Sequence, residues 1–329
     1  MNITVLRMYP GAPEAYKGVM RPRPPRPRTL RRRTAGLLAA AALAAPAAVS
    51  AVPAHADPSP PVSSGIDDFD CHPSAAHPRP LVLLHGTFLN PVDQWLVAGP
   101  YFAALGYCVF ELDYGQYDGI PVVHGIAPIE DSGRQLAAYV DRVLAATGAH
   151  QVDIVGHSQG GGALPRYYLK FLGGAAKVRT LVGIAPTNHG GTASGLFTVA
   201  QRVPGATQVL GTACPACVEQ MVGSDFNQRL DAGGDTVPGV RYTTIVSRLD
   251  EVVTPYPNQF LDGPDVRNVV VQDLCPLDVS EHLLLGTVDG VAFHEAANAL
   301  DPEDATPTTC ADLLSGVTGL AGGLTSGPA

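Results

Sequence analysis

Residues 151–172 carry the pattern that most restricts how this chain can fold. Gln151-Val-Asp-Ile-Val-Gly156 is a short apolar run. His157-Ser158-Gln159-Gly160 follows it, and the stretch from Gln159 to Leu172 reads as a helix stopped by Gly173-Gly174. The five residues Gly156 to Gly160 match G-x-S-x-G. The spacing has a geometric reason. A serine on a tight turn between a strand and a helix projects its hydroxyl above a sheet, and glycines on both sides let the two backbones pack closely. The pentapeptide alone is common by chance. The apolar run before it and the helical segment after it are what make it informative.

The rest of the chain repeats that alternation. Residues 81–84 (LVLL) form an apolar run ending at His85-Gly86, and residues 108–114 (CVFELDY) read as a second strand. Residues 129–146 have helical spacing and end near Gly148. Residues 178–185, 240–246 and 266–271 read as further strands, and residues 289–300 as a late helix. Short apolar strands without clean alternation imply burial on both faces. Strands separated by helices imply a mostly parallel sheet flanked by helices, an α/β fold of the α/β-hydrolase type. Residues 188–239 break the rhythm. They are rich in Gly and Thr, carry no long amphipathic helical pattern, and read as an insertion over the carboxyl edge of the sheet, where open α/β sheets place ligands.

A serine hydroxyl is a weak nucleophile and needs a base. In this fold the chain order is serine, acid, histidine. Asp250, in Ser247-Arg-Leu-Asp-Glu-Val-Val-Thr-Pro255, follows the fifth strand and is the candidate acid, with Glu251 beside it as the runner-up. His282, expected in a loop after the sixth strand, is the candidate base. His294 lies in the late helix and reads as a surface residue. Acyl transfer also needs donors for a developing oxyanion. Gln159 supplies one through its backbone N–H, and Thr87, in the loop after the first strand, supplies another. His85 and His157 fall outside the triad order and read as supports for the elbow and oxyanion loops. His189 reads as shaping the turn into the insertion.

The ends and the cysteines set the compartment. Residues 21–33 are strongly basic, residues 35–52 are Ala-rich and apolar, and Ala54-His55-Ala56 is a small-residue cleavage pattern. Residues 1–56 therefore read as a cleaved export signal, with Met20 a candidate start and either the general or the twin-arginine route open. Residues 57–70 read as a Pro/Ser-rich linker, 71–314 as the catalytic domain and 315–329 as a Gly-rich tail. Residues 1–56 hold nine of the 21 basic residues and one of the 30 acidic ones, which leaves a net charge of −17 on the remainder. Such a charge disfavours nucleic acid and anionic membranes as partners. All six cysteines lie beyond residue 56, and an even number in an exported chain implies disulfides. The sequence does not fix the pairing. Sequential bridges, Cys71–Cys108, Cys214–Cys217 and Cys275–Cys310, are the expectation. Cys214-Pro-Ala-Cys217 could also be a redox or half-zinc motif, but there is no second such pair and no nearby histidine pair, so no metal site is expected.

LVLLHGTF (81–88), GHSQGG (156–161), SRLDEVVTP (247–255) and the late His282 together resemble the secreted bacterial class 2 lipases of actinobacterial type. The acid segment is also similar to that of the fungal lipase B type. The resemblance spans about residues 71–310. It implies hydrolysis of carboxylic esters, triacylglycerols included, by a secreted monomer without an organic cofactor. A lipid or other ester is the implied substrate, met in transient contact with a lipid–water interface. It implies Ser158, Asp250 and His282 as the triad, Thr87 and Gln159 as the oxyanion hole, and one disulfide early and one late in the domain. A short-chain esterase, a polyester hydrolase or an acyltransferase would use the same residues. A catalytically idle binding protein of this fold would lack one of the three.

Overall fold

The computed structural model describes residues 65–315 apart from 118, 119 and 121. Six strands, β1 (Leu81–Leu84), β2 (Val109–Leu112), β3 (Val152–His157), β4 (Val178–Ile184), β5 (Arg241–Val246) and β6 (Val266–Val270), form one sheet in the order β2-β1-β3-β4-β5-β6. Every neighbouring pair is parallel. The chain leaves β1 toward β2 on one side and then returns to place β3 on the other, after which β4 to β6 continue outward. The reversal therefore lies between β1 and β3, and the crevice at their carboxyl ends is where such sheets bind ligands.

Parallel neighbours need crossovers, and helices supply most of them. Helices α1 (Pro91–Trp95) and α2 (Ala98–Ala104) link β1 to β2, α3 (Ile129–Thr147) links β2 to β3, and α4 (Ala163–Phe171) links β3 to β4. After β6 come α9 (Val271–Leu274), α10 (His282–Thr287) and α11 (Gly290–Leu300), once the β4–β5 connection has contributed α5 (Leu196–Arg202), α6 (Ala206–Ala213), α7 (Pro215–Glu219) and α8 (Asp225–Asp231). Side chains alternate across each strand, so the sheet feeds two cores. Val82, Leu84, Phe110 and Ile154 join α3 and α4 on one face. Leu81, Leu83, Val109 and Val155 join α2 and α11 on the other. In α3, Ile129, Leu136, Val140 and Val143 are buried, a helical spacing that puts them on one stripe. The helix stops at Gly148, whose φ of 69° is the left-handed cap that glycine adopts freely.

The fold agrees with the sequence reading in class, a mostly parallel sheet flanked by helices, and departs from it at several elements. The second strand is shorter than 108–114, pairing only from Val109 to Leu112. The helix expected from Gln159 is a four-residue 3-10 turn, Ser158–Gly161, with α4 starting at Ala163, because the elbow is too tight for α geometry. His282 is the first residue of α10 rather than part of a loop, since the Glu281 side chain caps that helix by accepting from the Leu283 and Leu284 N–H groups. Helices α1 and α2 were not foreseen. Asn90, which accepts from the Val92 and Asp93 N–H groups, and Pro91 mark the start of α1, but a five-residue helix leaves no periodicity to read.

The described body also starts before Cys71. Ile66 bridges Val109, and the Asp67 N–H donates to the Val109 carbonyl at 2.9 Å. The expected export signal, most of the linker and residues 316–329 lie outside the described residues. Among the described residues no helix is long and apolar enough to cross a membrane. The six cysteines form three sequential bridges, Cys71–Cys108, Cys214–Cys217 and Cys275–Cys310. The first closes a span of 37 residues and fastens the N-terminal segment to the residue before β2. Replacing Cys71 and Cys108 together by serine is expected to cost roughly 3–4 kcal/mol of unfolding free energy in the chain-entropy account. Urea unfolding of the two proteins, compared at equal slope, measures it.

Candidate active site

Ser158 sits where β3 ends, at the β1/β3 reversal. Its φ is 55°, a left-handed value uncommon for a residue with a side chain. The turn is possible because its neighbours have no Cβ. A Cβ on Gly156 would lie 1.9 Å from the Gly160 carbonyl oxygen, and one on Gly160 would lie 2.3 Å from the Leu84 carbonyl oxygen. The G-x-S-x-G spacing is thus the signature of three backbone stretches in contact, with the Ser158 side chain left pointing past them.

The structure brings Ser158, His282 and Asp250 into one chain of contacts. His282 Nε2 is 3.0 Å from Ser158 Oγ, and His282 Nδ1 is 2.7 Å from Asp250 Oδ2. All three residues are buried, none more than 7% exposed. Asp250 Oδ2 also accepts from Gln259 Nε2 at 3.0 Å, while Oδ1 accepts from the Val252 and Val253 N–H groups, both at 2.8 Å. Burial alone would raise the Asp250 carboxyl, but its hydrogen bond to His282, the charge of that ring and the two backbone donors hold it below the usual carboxylate value. It is therefore a carboxylate that fixes the ring with Nδ1 protonated, which leaves Nε2 free to accept from Ser158. The runner-up, Glu251, instead lies near the His282 N–H at 3.4 Å.

Thr87 and Gln159 face the same spot from the β1 loop and the elbow. Neither backbone N–H finds an acceptor among the described residues. Two glutamines set the Thr87 hydroxyl. Gln159 Nε2 donates to Thr87 Oγ1 at 2.8 Å and to the Gly125 carbonyl at 2.8 Å. Gln220 Nε2 donates to the same Oγ1 at 2.9 Å and to the Ala216 carbonyl at 3.1 Å. Each carbonyl can only accept, so both amide orientations are fixed. The Thr87 oxygen then has two donors on its two lone pairs, so its own hydrogen points away from both amides.

That cavity holds about 440 Å³ and is lined mainly by apolar groups. Ser158, His282 and Thr87 sit at its base, and Leu196, Phe197 and Leu210 from the β4–β5 connection cover it. Other histidines that the sequence singles out stand apart from this chemistry or behind it. His85 stacks on Tyr114 and accepts from its N–H at 3.3 Å. His294 lies against Thr306 and Thr308. His189 does hold the entry to the insertion, pairing with Asp231 at 3.1 Å and Asp235 at 3.4 Å. These three groups lie close enough to hold a cation, yet the buried Arg166 guanidinium already pairs with both carboxylates. Gln94, Gln220 and Gln259 were not foreseen. Nothing in a lone glutamine distinguishes one that orients a site from one that faces solvent.

Comparison with known proteins bears on the same region. A family profile described as Lipase (class 2) matches residues 78–284. The chain belongs to this family. Curated triacylglycerol lipases of Pseudarthrobacter phenanthrenivorans and Burkholderia plantarii are each 37% identical to it over 92 residues, or 26% of this chain. The match spans only about a quarter of either relative, 27% and 24% respectively. The crystal structure of Aspergillus fumigatus lipase B aligns with a TM-score of 0.55 and 19% identity, covering 76% of this chain and 63% of that one. At that identity the likeness concerns the fold alone: this class 2 lipase chain shares its parallel α/β architecture with that structure.

His189 gives this lipase-family fold a pH dependence of known sign. Hydrogen bonds from its ring to Asp231 and Asp235 raise its pKa to about 9 from 6.5. A raised histidine pKa stabilises the folded state fully below about 6.5, and that contribution is lost as pH climbs through 9. Denaturant unfolding between pH 6 and 10 should show a fall in stability over this window that His189→Gln lacks.

Proposed function

We propose that this chain is a secreted carboxylic ester hydrolase, most specifically a triacylglycerol lipase, in which Ser158 is the nucleophile. The observation that carries the reading is the continuous contact Asp250–His282–Ser158 at the base of an apolar cavity. His282 Nε2 takes the Ser158 proton as Oγ attacks the ester carbonyl, and Asp250 stabilises the imidazolium that forms. The oxyanion is met by the Thr87 and Gln159 N–H groups and by the Thr87 hydroxyl, whose hydrogen Gln159 and Gln220 leave free. His282 then protonates the departing alcohol oxygen, leaving an acyl group on Ser158. A water, giving its proton to His282, attacks that acyl group, and the acid leaves as Ser158 recovers its hydrogen.

The surroundings support a lipid as the ester. Residues 190–218 contain a single charged side chain, Arg202, in a chain that is otherwise acidic. In this stretch Leu196, Val199, Val203 and Val209 are exposed, and Leu196 lines the cavity together with the exposed Phe88. A neutral apolar rim suits transient contact with an uncharged lipid–water interface, whereas the net charge would oppose an anionic one. Export is supported by three disulfides with no free cysteine among the described residues and by the pattern ending at Ala56. An intact mass starting at Asp57 in culture medium is the expected result.

Two experiments test the chemistry. Hydrolysis of esters of rising acyl length, with and without emulsion, should persist into long chains and emulsified triacylglycerol. Activity confined to short, dissolved esters would make the protein an esterase, and Ser158→Ala retaining appreciable turnover would remove the assignment. Thr87→Val, which deletes a donor, should lower kcat about 10²-fold, while Thr87→Ser should stay within a few-fold of the parent.

A further inference from the structure

The residue before the nucleophile does more than fill the elbow. His157 is fully buried, and its ring lies under α10, the helix that begins with His282. His157 Nε2 is 2.9 Å from the His282 carbonyl oxygen. His157 Nδ1 is 2.9 Å from Gln94 Oε1. Gln94, equally buried on α1, donates through Nε2 to the Gly286 carbonyl at 2.5 Å, one turn further along α10. Its Oε1 also accepts from the Gly86 N–H in the Thr87 loop at 3.4 Å. Three of the segments that would carry the reaction, the elbow, the Thr87 loop and α10, thus meet at two side chains that do not react.

Helix α10 needs such a fixture. It is six residues long, too short to hold its own geometry, and Leu283 and Leu284 face outward. The ring also fits this helix closely. A Cβ on Gly286 would stand 2.1 Å from His157 Cδ2, so glycine is what lets α10 settle on the imidazole. The desolvation of its site, reinforced by the nearby His282 ring, pushes the His157 pKa down to about 3, so the ring is neutral and has one N–H. With a single hydrogen the ring can donate to only one of its two oxygen neighbours; carried on Nε2, that hydrogen serves the His282 carbonyl.

We infer that His157, braced by Gln94, is a positioning residue that sets the height and angle of the His282 imidazole between Ser158 and Asp250. It touches no reacting atom, and it acts through the main chain of the base. The inference rests on the hydrolase reading above. An error of about 1 Å in a group that transfers protons can cost about 10²-fold in rate, so this is the scale of effect expected when the tether is cut.

The test compares His157→Phe, His157→Gln and Gln94→Leu with the parent in the full mature chain, using a soluble p-nitrophenyl ester. Ser158→Ala is assayed alongside; if it equals the parent, the hydrolase reading fails whatever His157 does. His157→Phe keeps a ring and loses the hydrogen bond to the His282 carbonyl, so kcat should drop about 10²-fold with KM within twofold. His157→Gln, which can still donate to the His282 carbonyl, should recover at least tenfold of that loss. Gln94→Leu should lower kcat at least fivefold, again with KM unchanged, and it decides the matter alone if His157→Phe does not fold. An unchanged kcat in a folded His157→Phe or in Gln94→Leu, a loss confined to KM, or a Gln variant no better than Phe would overturn the inference.

Discussion

At Ser158 three backbones come within contact of one another: the end of β3, the 3-10 turn after it and the end of β1. Gly156 and Gly160 permit that contact, and a Cβ on either would collide with a carbonyl oxygen. Much else follows from this approach. Bringing β1 against the turn puts the Thr87 loop beside the Ser158 hydroxyl. The reversal of strand order at the same place opens the crevice into which β5 and the segment after β6 deliver Asp250 and His282. The strained φ of Ser158 is held by parallel strands buried on both faces, so the cost falls on a part of the protein well able to bear it.

Around this rigid centre the protein places groups that orient rather than react. Asp250 has four donors on its two oxygens, and Thr87 has two on one. On Asp250 these donors fill the carboxylate's lone-pair sites, one of them with the His282 ring, and on Thr87 they turn the hydroxyl hydrogen away from both amides. The cover over the cavity is of another kind. Helices α5 and α6 bury no residue fully, and their residues carry almost no charge. The molecule therefore combines a polar, closely hydrogen-bonded base with a neutral, apolar mouth.

How much of this could be read from the chain depended on how local each signal was. The elbow and the acid segment were legible because each is a short motif tied to the end of a strand, and His282 because of its place after them in the chain. The sequential cysteine pairing proved to be the one present, although spacing alone allowed others. The helix α10 beneath His282 was not legible, because its cap is a glutamate side chain and it ends within two turns. The positions of Gln94, Gln220 and Gln259 were not legible either. The partners that tie them to the site, Gly286, Thr87 and Asp250, are 192, 133 and 9 residues away, so no short motif marks them. Long-range hydrogen bonds to carbonyl groups leave no pattern of residue types.

The central claim is that Ser158 carries the acyl group between two half-reactions. The direct measurement is rapid quenching of the protein during turnover of a p-nitrophenyl ester, followed by intact and peptide mass spectrometry. The account predicts a transient mass increase equal to one acyl group, located on the peptide containing Ser158 and absent in Ser158→Ala. Turnover with no acylated species at any quench time in a variant slowed at deacylation, or an acyl group on another residue, would contradict it.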